Sequence, residues 1–264
     1  MDAYETILVD VDARGVAALR LNNPSRKNAL SAQMMDELTA FASVAAGQGI
    51  RVVVLSGVDG VFCAGGDLTW MQAQIDADRA GRNVEARRLA MMLKALNVMP
   101  VPVIGRVEGV ALGGGVGMAC VCDVVLAAPD AKFGLTETRL GLIPATISPY
   151  VMARIGEGAA RQVFMNARIF LAAEALRLGL VTHVVDLSDL DAAIEAEVLP
   201  YLSLPAGAIG RAKALTRMLG PKIDDVTVEA TIEKLADTWD TEEAREGIAA
   251  FLEKRKPRWA SGGS

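Results

Sequence analysis

The sequence predicts an α/β protein with a largely parallel sheet and a helical C-terminal region. Three observations carry that prediction. β-Branched runs such as "IRVVVLSG" (50–57) and "VPVIGRVEG" (101–109) end in glycine, as strands do. Stretches with helical apolar spacing lie between these runs, and strands alternating with helices favour parallel pairing. After about Gly141 the strand pattern gives way to amphipathic stretches punctuated by Gly or Pro.

Taken in order, "YETILVD" and "GVAALRL" read as two short strands joined by a turn at "VDARG". Ser31 is placed to cap a helix running through Phe41 and Val44. "IRVVVLSG" is the next strand, and a helix begins near Asp67. Leu89, Met92, Leu93, Leu96 and Met99 mark the apolar face of another helix, whose methionines read as core. "VPVIGRVEGVA" is strand and loop, "GVGMAC" opens a helix, and "CDVVLAAPDAKFG" makes a further strand and turn. Helices are expected over Ala172 to Leu178, Leu187 to Leu202, Ala206 to Leu219, Val226 to Trp239 and Thr241 to Lys254, with a short strand in "GLVTHVVD". The closing "SGGS" reads as an added tail.

With 264 residues the chain has an ample core, enough for one large domain or two small ones. Its 27 Lys and Arg against 32 Asp and Glu give a formal charge of −5, which argues against nucleic acid or an anionic membrane as the main partner. No apolar run reaches the ~18 residues of a membrane span, and "MDAYETILVD" lacks the pattern of a secretory leader. The expectation is a soluble, cytoplasmic protein. Cys63, Cys120 and Cys122 are too few and too oddly spaced for a disulfide framework or a zinc site, so they read as small core residues. A single histidine, His183, disfavours a Ser-His triad and a multi-histidine metal centre.

Two glycine-rich segments stand out, "VFCAGGDLTW" (61–70) and "LGGGVGMACVCD" (112–123). Each follows a strand and leads into a helix, where free backbone N–H groups can hold negative charge. Two such sites converging on one oxygen make an oxyanion hole. Close packing of chain against chain is the other use of so many glycines, and the residues leave both open. A dinucleotide fingerprint does not fit: read from Gly113 it puts Met118 at the third glycine position, and read from Gly115 it puts Cys120 there. No Gly-Lys-Ser or Gly-Lys-Thr follows to make a phosphate-binding loop.

"LNNPSRKNALS", "FCAGGDL", "GVALGGGVGMACVCD", "FGLTETRLGLIP" and "EGIAAFLEKRKP" come in the order and approximate spacing of the enoyl-CoA hydratase and isomerase, or crotonase, family. The resemblance covers nearly the whole chain. It implies a spiral of ββα units over residues 1–195 and a helical trimerisation region over 196–264, assembled as a homotrimer or a dimer of trimers. It also implies an acyl-CoA thioester as substrate, with no metal or redox cofactor.

Carried over residue by residue, the resemblance puts the oxyanion donors on the backbone N–H of Gly66 and Gly114. It places Lys27, Ala29, Ala64, Asp67 and Leu68 against the coenzyme A moiety, with Phe251 and Lys254 approaching from the last helix. Lys27 also reads as an ordinary solvated lysine, and Phe251 and Lys254 as parts of a plain amphipathic helix. Hydratases of the family share proton transfer between two glutamates. One is present here as Glu137, for which the alternative is a surface acid beside Arg139. The position of the other is Gly117.

One carboxylate can relay both proton transfers of a hydration, or shuttle a proton between carbons in an isomerase. A water beside Gly117 would point to the first, and an apolar side chain folded over it to the second. "GDLTWMQ", "LGLIPATISPYV" and Gly117 together resemble bacterial 3-methylglutaconyl-CoA hydratases of leucine breakdown and relatives acting on isohexenylglutaconyl-CoA. Such substrates carry a second carboxylate, for which Arg139 is the nearest cation in sequence. The expected activity is hydration of a 2-enoyl-CoA, with isomerisation or a catalytically silent acyl-CoA binder as alternatives.

Overall fold

The computed structural model describes residues 4–260, and the expected "SGGS" tail lies outside them. Strand β1 (Ile7–Val11) turns back at Asp12 into an antiparallel β2 (Val16–Leu21). The Asp12 carboxylate shapes this turn by accepting the N–H groups of Arg14 and Val16. Helix α1 (Ala32–Val44) follows, capped by Ser31, whose hydroxyl accepts the Met34 N–H at 3.2 Å. Its buried face is Met34, Met35, Leu38, Phe41 and Ala42.

Next come β3 (Val52–Gly57), α2 (Leu68–Asp76), α3 (Arg79–Val98), β4 (Val103–Val107), β5 (Val110–Leu112), α4 (Gly114–Val121), β6 (Val124–Ala127) and β7 (Lys132–Gly134). Then follow α5 (Ser148–Ala160), β8 (Ile169–Leu171), α6 (Ala172–Arg177) and β9 (His183–Val184). Four helices close the described chain: α7 (Leu190–Leu202), α8 (Ala206–Leu219), α9 (Asp225–Trp239) and α10 (Glu242–Leu252).

Among the described residues the larger sheet has the order β1-β2-β3-β4-β6-β9 and is parallel from β2 onward. A smaller sheet, β5-β7-β8, pairs β5 with β7 in parallel and β7 with β8 antiparallel. The larger sheet is covered on both faces, which explains continuous apolar runs such as "VVVL". The main core includes α1, α3, α4 and α5, while Leu190, Ile194 and Val198 of α7 pack on Val52, Ile104 and Leu126. Helix α4 is buried along its whole length. Residue 195, the expected end of the α/β core, falls inside α7.

Helix α9 lies along α3 through a small apolar cluster, Ala86 and Ala90 against Val228 and Ile232. A ladder of charges flanks it. Arg79 reaches Glu233 and Asp237 at 2.8 Å and Asp240 at 2.9 Å, Arg87 pairs with Glu229, and Lys94 lies 2.5 Å from Asp225.

The structure departs from the expected elements in three places. "VPVIGRVEGVAL" is broken at Glu108–Gly109, where Gly109 takes φ +64°, so β4 and β5 enter different sheets. "CDVVLAAPDAKFG" likewise divides into β6 and β7. Helix α5 and strand β8 were not expected. Pro149, Gly156 and Gly158 break the local pattern of α5, and tertiary burial of Tyr150 and Val151 overrides it.

Because the Ser31 hydroxyl takes an otherwise unpaired helix N–H, Ser31→Ala is expected to cost about 1 kcal/mol, measured by urea unfolding.

Candidate active site

The segment Cys63–Asp67, between β3 and α2, is laced to the chain on two sides. Leu30 N–H donates to Gly65 C=O at 2.8 Å, and Asp67 N–H donates to Leu30 C=O at 2.9 Å. On the other side Cys63 N–H donates to Val110 C=O at 2.9 Å, and Leu112 N–H donates to Cys63 C=O at 3.0 Å. The Leu30 bridge uses the groups on either side of Gly66, so the Gly66 N–H is turned away from it. Among the described residues that N–H donates to no backbone carbonyl. Asp67 ends the segment as the cap of α2, its Oδ1 accepting the N–H groups of Thr69 at 2.8 Å and Trp70 at 3.1 Å.

The second glycine segment is fixed by its backbone. Gly113 adopts φ +47° and ψ −113°, a conformation that favours glycine, and its N–H donates to Gly134 C=O at 2.9 Å. Helix α4 starts at the next residue, so its first amides have no partner within the helix. Gly114 N–H donates to no backbone carbonyl among the described residues. Gly115 brings the two segments together: a Cβ there would lie 2.6 Å from Cys63 C=O.

Both glycines line one cavity of about 770 Å³. Glu137, which opens a 3₁₀ turn after β7, lines it too. Glu137 is half-buried as a residue, but its Oε2 is sealed from solvent and has no hydrogen-bond partner. Its Oε1 would lie 3.1 Å from a Cβ on Gly113, so the missing side chain at 113 makes room for the carboxylate. Desolvation pushes the Glu137 carboxyl from 4.5 up to about 7, against a weaker pull from its own backbone N–H. Among the described residues Glu137 makes no ion pair, and the pairing with Arg139 is not formed.

A family model described as enoyl-CoA hydratase/isomerase matches residues 12–262. The chain belongs to the enoyl-CoA hydratase/isomerase family. It is 33% identical over 258 residues to the mitochondrial methylglutaconyl-CoA hydratase of Homo sapiens, an alignment covering 95% of this chain and 75% of that one. It is 35% identical to a probable enoyl-CoA hydratase of Mycobacterium tuberculosis, covering 97% of this chain and 98% of the relative. Among solved structures, an enoyl-CoA hydratase from Mycobacterium avium superposes with a TM-score of 0.86 at 34% identity, covering 98% of this chain and 100% of that one. Pseudomonas aeruginosa AtuE superposes with a TM-score of 0.77 at 38% identity, covering 97% of this chain and 100% of that one. The fold is the crotonase α/β fold with a helical C-terminal region.

Of the residues the family motifs suggested, Lys27, Ala29, Ala64, Gly66, Asp67, Leu68, Gly114, Glu137 and Phe251 line the cavity. Lys254 does not. It is exposed, at φ +54°, where the chain leaves α10. Asp67 lines the wall, but one of its oxygens is committed to the α2 cap and the other lies 3.9 Å from Arg26 Nε. His183 is exposed, 3.3 Å from Glu197, and lies outside the cavity. The three cysteines are buried, and burial pushes each thiol up to about 12, in keeping with a core role.

The space beside Gly117 is filled by hydrocarbon. A Cβ there would lie 2.7 Å from Ile147 Cγ2 and 3.3 Å from Leu93 Cδ1. Sequence reasoning missed several wall residues, among them Gln74, Arg82, Thr146 and Trp239. Nothing in their local pattern sets them apart, because α2, α3 and α9 meet only in the tertiary structure. It also missed Asn28, fully buried at φ +54°, whose Nδ2 donates to the carbonyls of Val58 and Val61. Asn28 thereby pins the Lys27–Leu30 loop to the end of β3.

Two outcomes are expected. Below pH 4.5 the Glu137 carboxyl is protonated in both folded and unfolded chains. Between pH 4.5 and about 7 the unfolded chain releases its proton first, so stability falls as pH rises. Glu137→Gln should therefore raise the melting temperature by a few degrees at pH 8, with the gap closing toward pH 5 in thermal scans. Gly117→Glu should destabilise the protein, and Ile147→Ala should be less costly in that background than alone, as a double-mutant cycle in denaturant would read.

Proposed function

We propose that the protein hydrates a 2-enoyl-CoA thioester, with Glu137 as its single acid-base group. The observation that carries this reading is the Glu137 carboxylate, sealed on one oxygen, unpaired, and held near pH 7 in the cavity of the two free glycine amides. The relatives named as enoyl-CoA and methylglutaconyl-CoA hydratases support it.

In this mechanism the thioester oxygen accepts the N–H groups of Gly66 and Gly114, which stabilise the negative charge that grows there as an enolate forms. Donors of this kind are each worth about 10²–10³ in rate. Ionised Glu137 takes a proton from water while the water oxygen bonds to the β-carbon and the double-bond electrons move to the thioester. Protonated Glu137 then returns that proton to the α-carbon on the same face, which gives syn addition. The balanced reaction calls for no metal or redox cofactor. A carboxyl near 7 suits a group that must both accept and donate a proton at neutral pH.

Double-bond isomerisation is the second reading, and Ile147 with Leu93 over Gly117 favours it. Without a second carboxylate to hold water, Glu137 could move a proton between the α- and γ-carbons. A silent acyl-CoA binder is the third, against which the desolvated, unpaired state of Glu137 weighs.

The cavity wall suggests a polar acyl group. Thr146 is 6% exposed with no side-chain hydrogen bond among the described residues, and Arg139 is a wall cation without an ion pair among them. A glutaconyl-type substrate such as 3-methylglutaconyl-CoA, with its second carboxylate, fits these groups. Exposed Leu215, Met218 and Leu219 on α8 and Val226 on α9 support assembly as a homotrimer or a dimer of trimers.

Turnover of crotonyl-CoA, 3-methylglutaconyl-CoA and a 3-enoyl-CoA in ¹⁸O-labelled water tests the reading. Label at the β-carbon, lost in Glu137→Gln by at least about 10³-fold, is the expected result; double-bond migration without label would replace hydration by isomerisation. For hydration kcat/KM should rise as pH passes through about 7, because the base form of Glu137 begins the reaction. Arg139→Gln should lower kcat/KM for 3-methylglutaconyl-CoA while leaving crotonyl-CoA little changed.

A further inference from the structure

A second cavity, of about 470 Å³, opens where α3, α5 and α8 meet the start of β6, and it shares no lining residue with the active-site cavity. Asn97, Asp123, Arg154, Thr182, Thr216 and Arg217 form its polar wall. We propose that this cavity binds a small oxyanion, a phosphate or carboxylate group, through Arg217, Arg154 and Asn97.

Positive charge exceeds negative charge here. The Asp123 carboxylate faces Lys213, Arg217 and the backbone. Lys213 Nζ lies 2.7 Å from its Oδ2, which also accepts the Val103 N–H at 2.8 Å. Arg217 approaches the other oxygen at 3.5 Å. Arg154 has no carboxylate of its own. Its guanidinium donates to the carbonyls of Cys122, Asp123 and Leu180 and to the Thr182 hydroxyl, all neutral acceptors. Three cations thus surround one anion. Burial also holds Lys213 below the ordinary lysine range despite its contact with Asp123.

An unmet donor completes the case. Arg217 Nε is out of contact with solvent and has no hydrogen-bond partner. Asn97 is only 5% exposed, yet its side-chain amide makes no hydrogen bond among the described residues. A buried donor without a partner, here Arg217 Nε, is costly, and an oxyanion satisfies both that donor and the charge, with the Asn97 amide on the same wall able to donate as well. The carbonyl end of α4, which would repel an anion, is screened because Arg154 covers the Cys122 carbonyl. The volume exceeds that of a bare phosphate, leaving room for hydration water or for the body of a small carboxylic acid.

Titration with inorganic phosphate, acetate and citrate at constant ionic strength, read by thermal shift and calorimetry without acyl-CoA, tests the site independently of turnover. A saturable rise in melting temperature is expected with phosphate or with a carboxylate, and which of them acts at lower concentration identifies the preferred group. Arg217→Gln and Asn97→Leu should each weaken the apparent affinity about tenfold, the loss of one charge-assisted or buried hydrogen bond. Lys27→Gln, in the other cavity, should leave the response unchanged. No saturable response to any of the anions overturns the proposal, as does a response equal in wild type and Arg217→Gln or one abolished by Lys27→Gln. Arg217 has a side chain one-third exposed, so its variant decides the matter even if Asn97→Leu does not fold.

Discussion

The backbone contact between Cys63–Asp67 and Leu112–Gly115 is the constraint on which the rest of the site depends. Cys63 C=O accepts the Leu112 N–H, and the absent side chain of Gly115 lets α4 begin against the same carbonyl. A methyl group at 115 would collide with backbone, which cannot swing aside as a side chain can. Once that approach is made, two helix starts fall side by side, and Gly66 and Gly114 are left with free amides on one cavity. Leu30 fixes the first segment from its other flank, so neither donor has freedom to wander. The amides are positioned before any ligand arrives, which is the condition under which such donors act most strongly.

A buried carboxyl sits opposite them at a cost in stability. Glu137 finds no ion pair, and its sealed oxygen finds no donor. A structural acid would be expected to pair or to reach solvent. An unpaired one, kept beside a glycine whose missing side chain makes room for it, has the marks of a group retained for chemistry. The three consecutive glycines therefore serve different ends. Gly113 supplies an unusual backbone conformation and space for Glu137, Gly114 supplies an amide, and Gly115 supplies contact.

Much of this was legible in the letters. The strand-glycine-helix context of both segments pointed to free amides, and Ser31, Asp67 and the helices α7 to α10 stood close to where local pattern placed them. What local pattern missed was decided by tertiary contacts. Strands β5 and β8 have three residues each, too few to show a period, and they exist because β7 lies between them. Helix α5 carries proline and glycine and holds its shape through burial of Tyr150 and Val151. The residue that fills the space beside Gly117 could not be read either, since Ile147 is thirty positions away and arrives there only through the turn after Leu142. The far wall of the cavity, from Gln74 to Trp239, is a meeting of three helices that no single segment announces.

The charged ladder between α3 and α9 gives that far wall a different character from the rest of the site. Gly66, Gly114 and Glu137 rest on a dry core in which α4 is buried throughout, whereas Leu235 and Trp239 are carried by a helix held largely by exposed ion pairs and a few small apolar residues. Salt weakens the second kind of attachment and leaves the first almost untouched. Two walls of one cavity therefore answer differently to the same solvent. Ionic strength can loosen the α9 wall of the cavity while the free amides of Gly66 and Gly114 stay in place.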